Sequence, residues 1–443
     1  MNTSNITADE HIQELLVDQK TAYSDKLLDT AEKRIERLVL KFNNGVDPLT
    51  WESNSHSDPL EVRIARAKEI ASHPAKNIAR IEPEMLDLEP WKHIGDPLAE
   101  ALILELRQKK MMTRDIYAAA RKLESEGNES ARKFFEDVEF VPSWADFDKM
   151  RLGATLGLRN PLGLMFSVHG SMAMTYVTPN VARVMAFTGR LDKAGDFPRR
   201  YWETATGFVG ALDVDGMKPL GPRWEIWVRI RLMHTMVRMG ILSSKKWNPE
   251  WFNPIDQLTT AAGVYAFGQY RINIIRALGT KVSEAEQQSY NLMWRWVTRV
   301  LGVVPELLGT NDDDQKVLDY LLYQHLYTVS PEAIALTDAM INGLSQIPLF
   351  GMSRTMHAAM VNYLLSPNHT APSNKDVAHD LQVKVPLWAK LAIPSFVVGL
   401  KLANRFPQLP GIRNISDKYA LQLFDQLIKK QLGAKKADYR TNV

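Results

Sequence analysis

Apolar residues recur along this chain at the three- and four-residue spacing of amphipathic helices, and this periodicity most constrains its fold. Dipeptides typical of β-hairpin turns are few, and none is flanked on both sides by alternating, strand-like segments; they are Asn44-Gly45, Asp215-Gly216 and Asn342-Gly343. We therefore predict an all-α protein, a multi-helix bundle with additional N- and C-terminal helices.

Proline near the start of many periodic segments, and glycine near their ends, set the predicted helix boundaries. The predicted helices cover residues 24–42, 60–73, 97–112, 113–126 (with Thr113 as N-cap), 143–156, 161–176, 179–189, 198–212, 222–242, 254–279 and 283–302. Near Val141 charge becomes sparser, whereas methionine, glycine and aromatic residues become denser. We therefore divide the chain into an N-terminal helical extension (1–140), a core (141–365) and a C-terminal helical tail (366–443).

The composition excludes several kinds of site. The chain has no cysteine, so disulfides, iron–sulfur clusters and thiolate-ligated haem are excluded, and any metal must be held by histidine or oxygen. The 54 basic and 51 acidic side chains leave a formal net charge of +3, which gives no reason to expect a nucleic-acid partner. Residues 1–14 are polar and contain no apolar run typical of a secretory signal, so we expect a cytoplasmic protein.

The C-terminal tail contains the longest apolar run, at 391–400, which is about half the length that a membrane span requires. The wider segment 385–406 combines Trp388, Phe396 and Leu400 with lysines, as interfacial helices do. Two interpretations stay open for it: a buried C-terminal helix pair, and peripheral contact with a membrane.

Common catalytic signatures are missing from the sequence, among them HExxH, the P-loop, Gly-x-Ser-x-Gly and the paired Glu-x-x-His motifs of di-iron bundles. The acidic run Asn311-Asp312-Asp313-Asp314 lacks the spaced ligands of a calcium loop. We interpret it as a solvated helix start.

The segment 224–241 carries four side chains at spacings of four, three and four; they are Trp227, Arg231, His234 and Arg238. This spacing places them on one face of one helix. Two arginines beside a histidine in an otherwise apolar helix indicate a compensating anion or metal. Haem b meets this requirement, because its iron binds a neutral imidazole and its propionates bind cations. A hydrogen-bonded core histidine is the alternative interpretation of His234.

A second polar face lies one helix earlier, where Arg200, Glu203 and Thr204 follow each other at i, i+3 and i+4. These residues are candidates for the opposite wall of the same pocket. The alternative is an ordinary surface helix start.

An ordered series of motifs runs through the core. It consists of Thr188-Gly189-Arg190-Leu191, Arg200-x-x-x-Thr204, Arg231-x-x-His234-x-x-x-Arg238, Pro254-Ile255-Asp256-Gln257, Tyr265-Ala266-Phe267, Ser283-Glu284-Ala285-Glu286 and Trp294-x-x-x-x-x-x-Leu301-Gly302-Val303. The series resembles the family of the latex-clearing protein, a bacterial rubber oxygenase, and the fungal mpaB-type oxygenases. The resemblance covers residues 141–365.

The resemblance implies a globin-like helical core that holds haem b, with His234 as the iron ligand. It implies that Arg231 and Arg238 line the haem site and that Arg200 and Thr204 line its distal side. The implied reaction adds dioxygen across an isoprenoid carbon–carbon double bond and cleaves it to two carbonyls.

Two features depart from the family pattern. The latex-clearing branch has a lysine before the distal threonine, where this chain has Glu203, so a lysine-closed resting state is unavailable and Glu203 is a candidate base. Rubber polymer is extracellular, whereas this chain shows no export signal. The expected partners are therefore dioxygen and a smaller terpenoid or unsaturated lipid in an internal pocket.

Two other functions are compatible with the same residues: a non-catalytic haem-binding sensor, and a helical interaction or membrane-surface protein. His169 is the second candidate for the iron ligand, and His325 and His357 are more remote candidates. For these three, a core or surface histidine is the alternative interpretation.

Overall fold

The computed structural model describes residues 58–78, 82–189, 197–370, 375–403, 405, 409 and 412–433. Every regular element in these ranges is helical, and none of them contains a strand, which confirms the all-α prediction. The helix predicted at 24–42 lies outside the described residues.

The first half of the described chain contains nine helices. They are α1 (Leu60–Ala71), α2 (Pro97–Gln108), α3 (Ile116–Ser125), α4 (Glu129–Glu139), α5 (Phe147–Leu158), α6 (Pro161–Tyr176), α7 (Pro179–Phe187), α8 (Phe197–Gly210) and α9 (Pro222–Ser243). The second half adds α10 (Gln257–Ala261), α11 (Tyr270–Ala277), α12 (Glu284–Val300), α13 (Asp312–Leu326), α14 (Pro331–Leu344), α15 (Arg354–Leu364), α16 (Val377–Asp380), α17 (Leu387–Ala403) and α18 (Ile412–Leu432).

Short polar side chains begin most of the N-terminal helices. The carboxylates of Asp96 and Asp115 and the amide oxygen of Asn128 each accept a backbone N–H three residues later, at 2.9–3.1 Å. The predicted N-cap Thr113 is therefore wrong: its hydroxyl donates to the carbonyl of Asp115, and Asp115 itself caps α3.

The single helix predicted at 254–279 is also wrong, because the chain forms three pieces there. Asp256 caps the short helix α10, and a π-helical turn at Tyr265–Gln269 separates it from α11. A π turn inserts a residue into the helical repeat and re-aims the side chains beyond it, often at functional sites.

Two large clusters of buried apolar side chains form the core. One lies among α6, α14, α15 and α17, and the other among α2, α4, α5, α9 and α12. At the contact between α5 and α12, a Cβ on Gly153 would lie 2.3 Å from the backbone nitrogen of Tyr290, so only glycine allows this approach.

The second cluster joins segments from both sides of the predicted boundary at residue 140. Phe134 and Phe135 of α4 belong to it together with Trp224 of α9 and Trp296 of α12, and all four are fully buried. Full burial of side chains of this size stabilises by about 1.5–3 kcal/mol each. The extension and the core thus share one apolar interior, and their division into domains stays a prediction.

Helix α17 buries one face, formed by Ala389, Ile393, Val397 and Leu400, against the first cluster. Among the described residues, no helix combines the length and the apolar character that crossing a bilayer demands.

Candidate functional site

A cavity of about 790 Å³ lies between α6, α7, α8, α9 and α11 to α13, with α18 contributing part of its wall. Its volume is in the range of small-molecule binding pockets. Most lining side chains are apolar, including five methionines: Met165, Met172, Met174, Met185 and Met233. Methionine and aromatic walls adapt to large apolar ligands.

His234 lines this cavity, and it is the only histidine among the described residues that does so. It is half-buried, and Ile230, Met233 and Val237 accompany it on the cavity face of α9. One turn of helix repeats every 3.6 residues, so these positions form one continuous stripe.

Helix α8 brings the second predicted set to the same cavity. Arg200, Glu203 and Thr204 all line it. Glu203 Oε1 accepts from Arg199 Nε at 2.9 Å, and the Glu203 side chain is only 17% exposed. The structure thus places the carboxylate, the hydroxyl and His234 on the lining of one cavity, although sequence alone could not show that α8 and α9 border the same space.

Arg231 and Arg238 do not line the cavity. Arg231 donates from Nε to Asp96 Oδ2 at 2.6 Å and from Nη1 to Asp137 Oδ2 at 2.7 Å. Arg238 donates from Nε to Glu100 Oε1 at 2.7 Å. The anions that the two arginines require are therefore carboxylates of the N-terminal extension.

The angular positions of the side chains around α9 explain why the two arginines do not reach the cavity. At 100° per residue, Arg231 and Arg238 lie roughly 40–60° around the α9 axis from His234, on the side away from Met233. Helix α9 lies between the cavity and α2. The angular offset from His234 therefore directs the guanidinium groups toward α2 and α4. Their predicted contact with haem propionates gains no support from this geometry.

Asp137 holds two arginines at once. Arg299 Nη2 donates to its Oδ1 at 2.6 Å, while Arg231 occupies Oδ2. Burial raises the pKa of this carboxyl, but the guanidinium groups of Arg299 and Arg231 outweigh it and hold the pKa below its ordinary value.

The other candidate histidines lie outside the cavity lining. His169 and His357 are fully buried and share a hydrogen bond of 2.7 Å between His169 Nε2 and His357 Nδ1. His325 Nε2 lies 3.1 Å from Glu89 Oε2. Their interpretation as core or surface histidines fits these contacts.

Besides Arg199 of α8, two charged cavity residues were not identified from the sequence, Asp319 of α13 and Arg271 of α11. Burial raises the pKa of Asp319 to about 8, so this carboxyl carries its proton at neutral pH. Each sits inside a run of apolar residues, 317–323 and 270–275 respectively, and a charged residue breaking such a run was the available signal.

Fold and cavity together describe a helical protein with a large, mostly apolar cavity, whose described lining includes one histidine. A family model described as "ER-bound oxygenase mpaB/B'/Rubber oxygenase, catalytic domain" matches residues 155–391, more than half of the chain. The chain belongs to this family, which confirms the resemblance drawn from its motifs.

A curated relative and a solved structure agree with this assignment. The chain is 24% identical over 245 residues to the rubber oxygenase of Streptomyces sp. (strain K30); the match covers 53% of this chain and 58% of the relative, less than two thirds of its length. A structure of the latex clearing protein LCP in the closed state matches with a TM-score of 0.55 and 17% identity, over 80% of this chain and 94% of that one. At that identity the structural match shows the fold alone.

Proposed function

We propose that this protein is a haem b-dependent oxygenase that adds dioxygen across a double bond of a hydrophobic isoprenoid or lipid-like substrate and cleaves it to two carbonyls. The observation that carries the proposal is the position of His234 on an apolar cavity wall, with Arg200, Glu203 and Thr204 lining the same cavity from α8.

The donor set of the cavity fits haem. No group of three or more His, Asp or Glu side chains in the described part of the chain could hold a bare metal ion. A porphyrin supplies four nitrogen donors itself, so one imidazole completes its protein ligation. The long methionine and aromatic walls suit a flat apolar macrocycle.

His234, the apolar walls and Glu203 have separate roles in the proposed reaction. His234 would hold the iron, and haem, when bound, supplies the activation of dioxygen. The apolar walls exclude water and align an unsaturated chain. Glu203, paired with Arg199, would accept a proton from the substrate near the reacting double bond and return it before the two carbonyls form, because the overall addition of dioxygen releases no proton.

The test of the cofactor is an absorption spectrum of protein expressed with added haem. Wild type should show a Soret band, and His234→Ala should lose it because the iron then has no imidazole donor. His325→Ala, which removes a histidine outside the cavity, is the matched control and should keep the band. A folded wild type, checked by circular dichroism, without a Soret band would refute the proposal.

The test of the reaction is oxygen uptake with squalene as the probe alkene, together with detection of carbonyl products by dinitrophenylhydrazine. Glu203→Gln should lower turnover by about 10²–10⁴-fold, the range of a lost general base. A variant as fast as wild type would remove Glu203 from the reaction. Haem binding without uptake would instead favour a sensor.

We also propose peripheral contact of α17 with a membrane as the route by which a hydrophobic substrate arrives. The face of α17 opposite its buried stripe exposes large apolar side chains, at 54–72%; they are Leu387, Trp388, Leu391, Val398 and Leu402. Such a face, with lysines beside it, is typical of interfacial helices.

A further inference from the structure

Arg271 is a buried cation on the cavity wall. Its residue surface is only 3% exposed, yet it lines the cavity. Nε donates to Ser167 Oγ at 2.8 Å and Nη2 to the carbonyl of Leu164 at 3.1 Å, so both acceptors are neutral. Within the described ranges Nη1 makes no hydrogen bond and no carboxylate forms an ion pair with this guanidinium.

Other buried arginines of the described chain are neutralised differently. Arg231 and Arg299 reach carboxylates at 2.6–2.7 Å, and Arg238 reaches Glu100 at 2.7 Å. A buried charge without an opposite charge is costly. For Arg271 the rings of Phe208, 5.1 Å from Cζ, and Trp294, 6.0 Å away, offset part of this cost.

The charged side chains on the cavity wall also favour an anionic ligand at Arg271. Among the described lining residues, the carboxylates are those of Asp319 and of Glu203, and Glu203 pairs with Arg199 rather than with Arg271. Asp319 adds no negative charge at neutral pH, because burial raises its pKa to about 8. The Arg271 guanidinium on a largely apolar cavity wall therefore favours an amphipathic anion as ligand.

We propose that Arg271 binds the carboxylate of an apolar ligand in this cavity. The guanidinium offers Nη1 in a water-poor setting, where a charge-assisted bond to a carboxylate is strongest. Its aromatic neighbour Trp294 packs on Trp227, with ring centroids 6.1 Å apart. Trp227 precedes His234 by two helical turns, roughly 10 Å along α9.

Two ligands combine a carboxylate with an apolar body of the required size: an unsaturated fatty or terpenoid acid, and haem through a propionate. The second source rests on the proposed function, whereas the first does not. The experiment therefore has one arm for each.

The first arm uses the full chain purified without haem and the fluorescent probe cis-parinaric acid, compared with its methyl ester. Wild type should bind the acid about 10- to 100-fold more tightly than the ester, as expected for a charge-assisted bond that the ester cannot make. Arg271→Gln should bind both alike. Arg276→Gln, on the exposed side of the same helix, should keep the preference.

The second arm titrates the same proteins with haemin and follows the Soret band. If Arg271→Gln weakens parinaric acid alone, the carboxylate is that of a substrate; if it weakens haemin alone, it is a propionate. Acid selectivity in a chain that takes up no haem would uphold Arg271 while refuting the proposed function.

The proposal is overturned if wild type binds acid and ester equally, or binds neither, and Arg271→Gln also leaves haemin affinity unchanged. The acid and ester comparison needs no variant, so a misfolded Arg271→Gln leaves the fatty-acid source decided, and Arg271→Met then takes its place in the haemin titration. Arg271→Lys, which keeps the charge, should retain part of the preference.

Discussion

The carboxyl group of Asp319 is buried in the protein interior, because the residue is only 4% exposed. Gln315 Nε2 donates to its Oδ1 at 2.7 Å. Burial raises its pKa to about 8, whereas an unfolded aspartate titrates near ~3.9. Between these values the folded chain binds the extra proton, so its stability falls as pH rises from about 4 to 8.

Asp319→Asn should remove this dependence. Between pH 5 and pH 8 the variant should gain more than about 1 kcal/mol of unfolding free energy relative to wild type, measured by urea denaturation. Asp313→Asn, at the exposed start of the same helix, is the control. Its unfolding free energy should change with pH as that of wild type does. If the unfolding free energies of Asp319→Asn and wild type change equally with pH, this carboxyl is ionised in the folded protein.

The buried pair of His169 and His357 gives the stability the opposite dependence on pH. Burial lowers the pKa of both rings, that of His357 to about 4, while unfolded histidine takes a proton near ~6.5. The unfolded chain therefore binds more protons between these values, and stability is lost as pH falls from about 6.5 to 4. His357→Asn should flatten this slope in urea titrations, whereas the exposed His379→Asn should not.

The candidate site was only partly accessible to sequence reasoning. His234, Arg200, Glu203 and Thr204 were found because family motifs and helical spacing mark them, and the structure places all four at one cavity. Helical spacing does not resolve a rotation of roughly 40–60°, and this rotation separates Arg231 from His234.

At the scale of elements, Asp137 ties three helices together. It lies on α4 and holds Arg231 of α9 and Arg299 of α12, all three at most 6% exposed in their side chains. Asp137→Asn removes the carboxylate that pairs with buried Arg299 and leaves Arg231 with Asp96 alone, so it should cost about 3–5 kcal/mol. Glu136→Gln, which breaks an exposed pair with Arg132 one position earlier, should cost about 1 kcal/mol or less.

Thermal and urea unfolding measure both variants. Equal, small losses would mean that water or another anion neutralises the two arginines. A larger loss for Asp137→Asn would show that this carboxylate stabilises the packing of α4 against α9 and α12.

Helix boundaries were predictable where end signals and apolar period agree. Helix α6 begins at Pro161 and ends at Tyr176 as predicted. Helix α4 was missed although Asn128 caps it and Phe134, Phe135 and Val138 form its buried stripe. Apolar period alone could not reveal the π turn at Tyr265–Gln269, because the residues before and after it are equally apolar.

At the scale of the whole molecule, contacts distant in sequence decide the arrangement. Gly302 has a φ of +95°, and a Cβ there would lie 2.4 Å from Arg231 Nε and 2.5 Å from Asp96 Oδ2. This glycine lets the chain after α12 close over an ion pair whose partners are 135 residues apart. Sequence patterns mark such a glycine but not the pair that it covers.

The exposed face of α17 decides how the whole molecule meets its substrate. Two leucines on that face, Leu391 at 68% and Leu402 at 60% exposure, would enter an acyl layer, and each buried leucine contributes about 1.5–3 kcal/mol. The double substitution Leu391→Ser and Leu402→Ser should therefore weaken binding to phosphatidylcholine–phosphatidylserine vesicles at least about tenfold in flotation assays.

Leu104→Ser, on the 47% exposed side of α2, is the matched control and should float as wild type does. Because lysines such as Lys390 and Lys401 flank the face, salt should weaken binding to anionic vesicles more than to neutral ones. Wild-type protein that binds neither vesicle type would contradict the proposed membrane contact of α17. The cavity would then have to receive its apolar ligand without direct contact between this helix and a lipid layer.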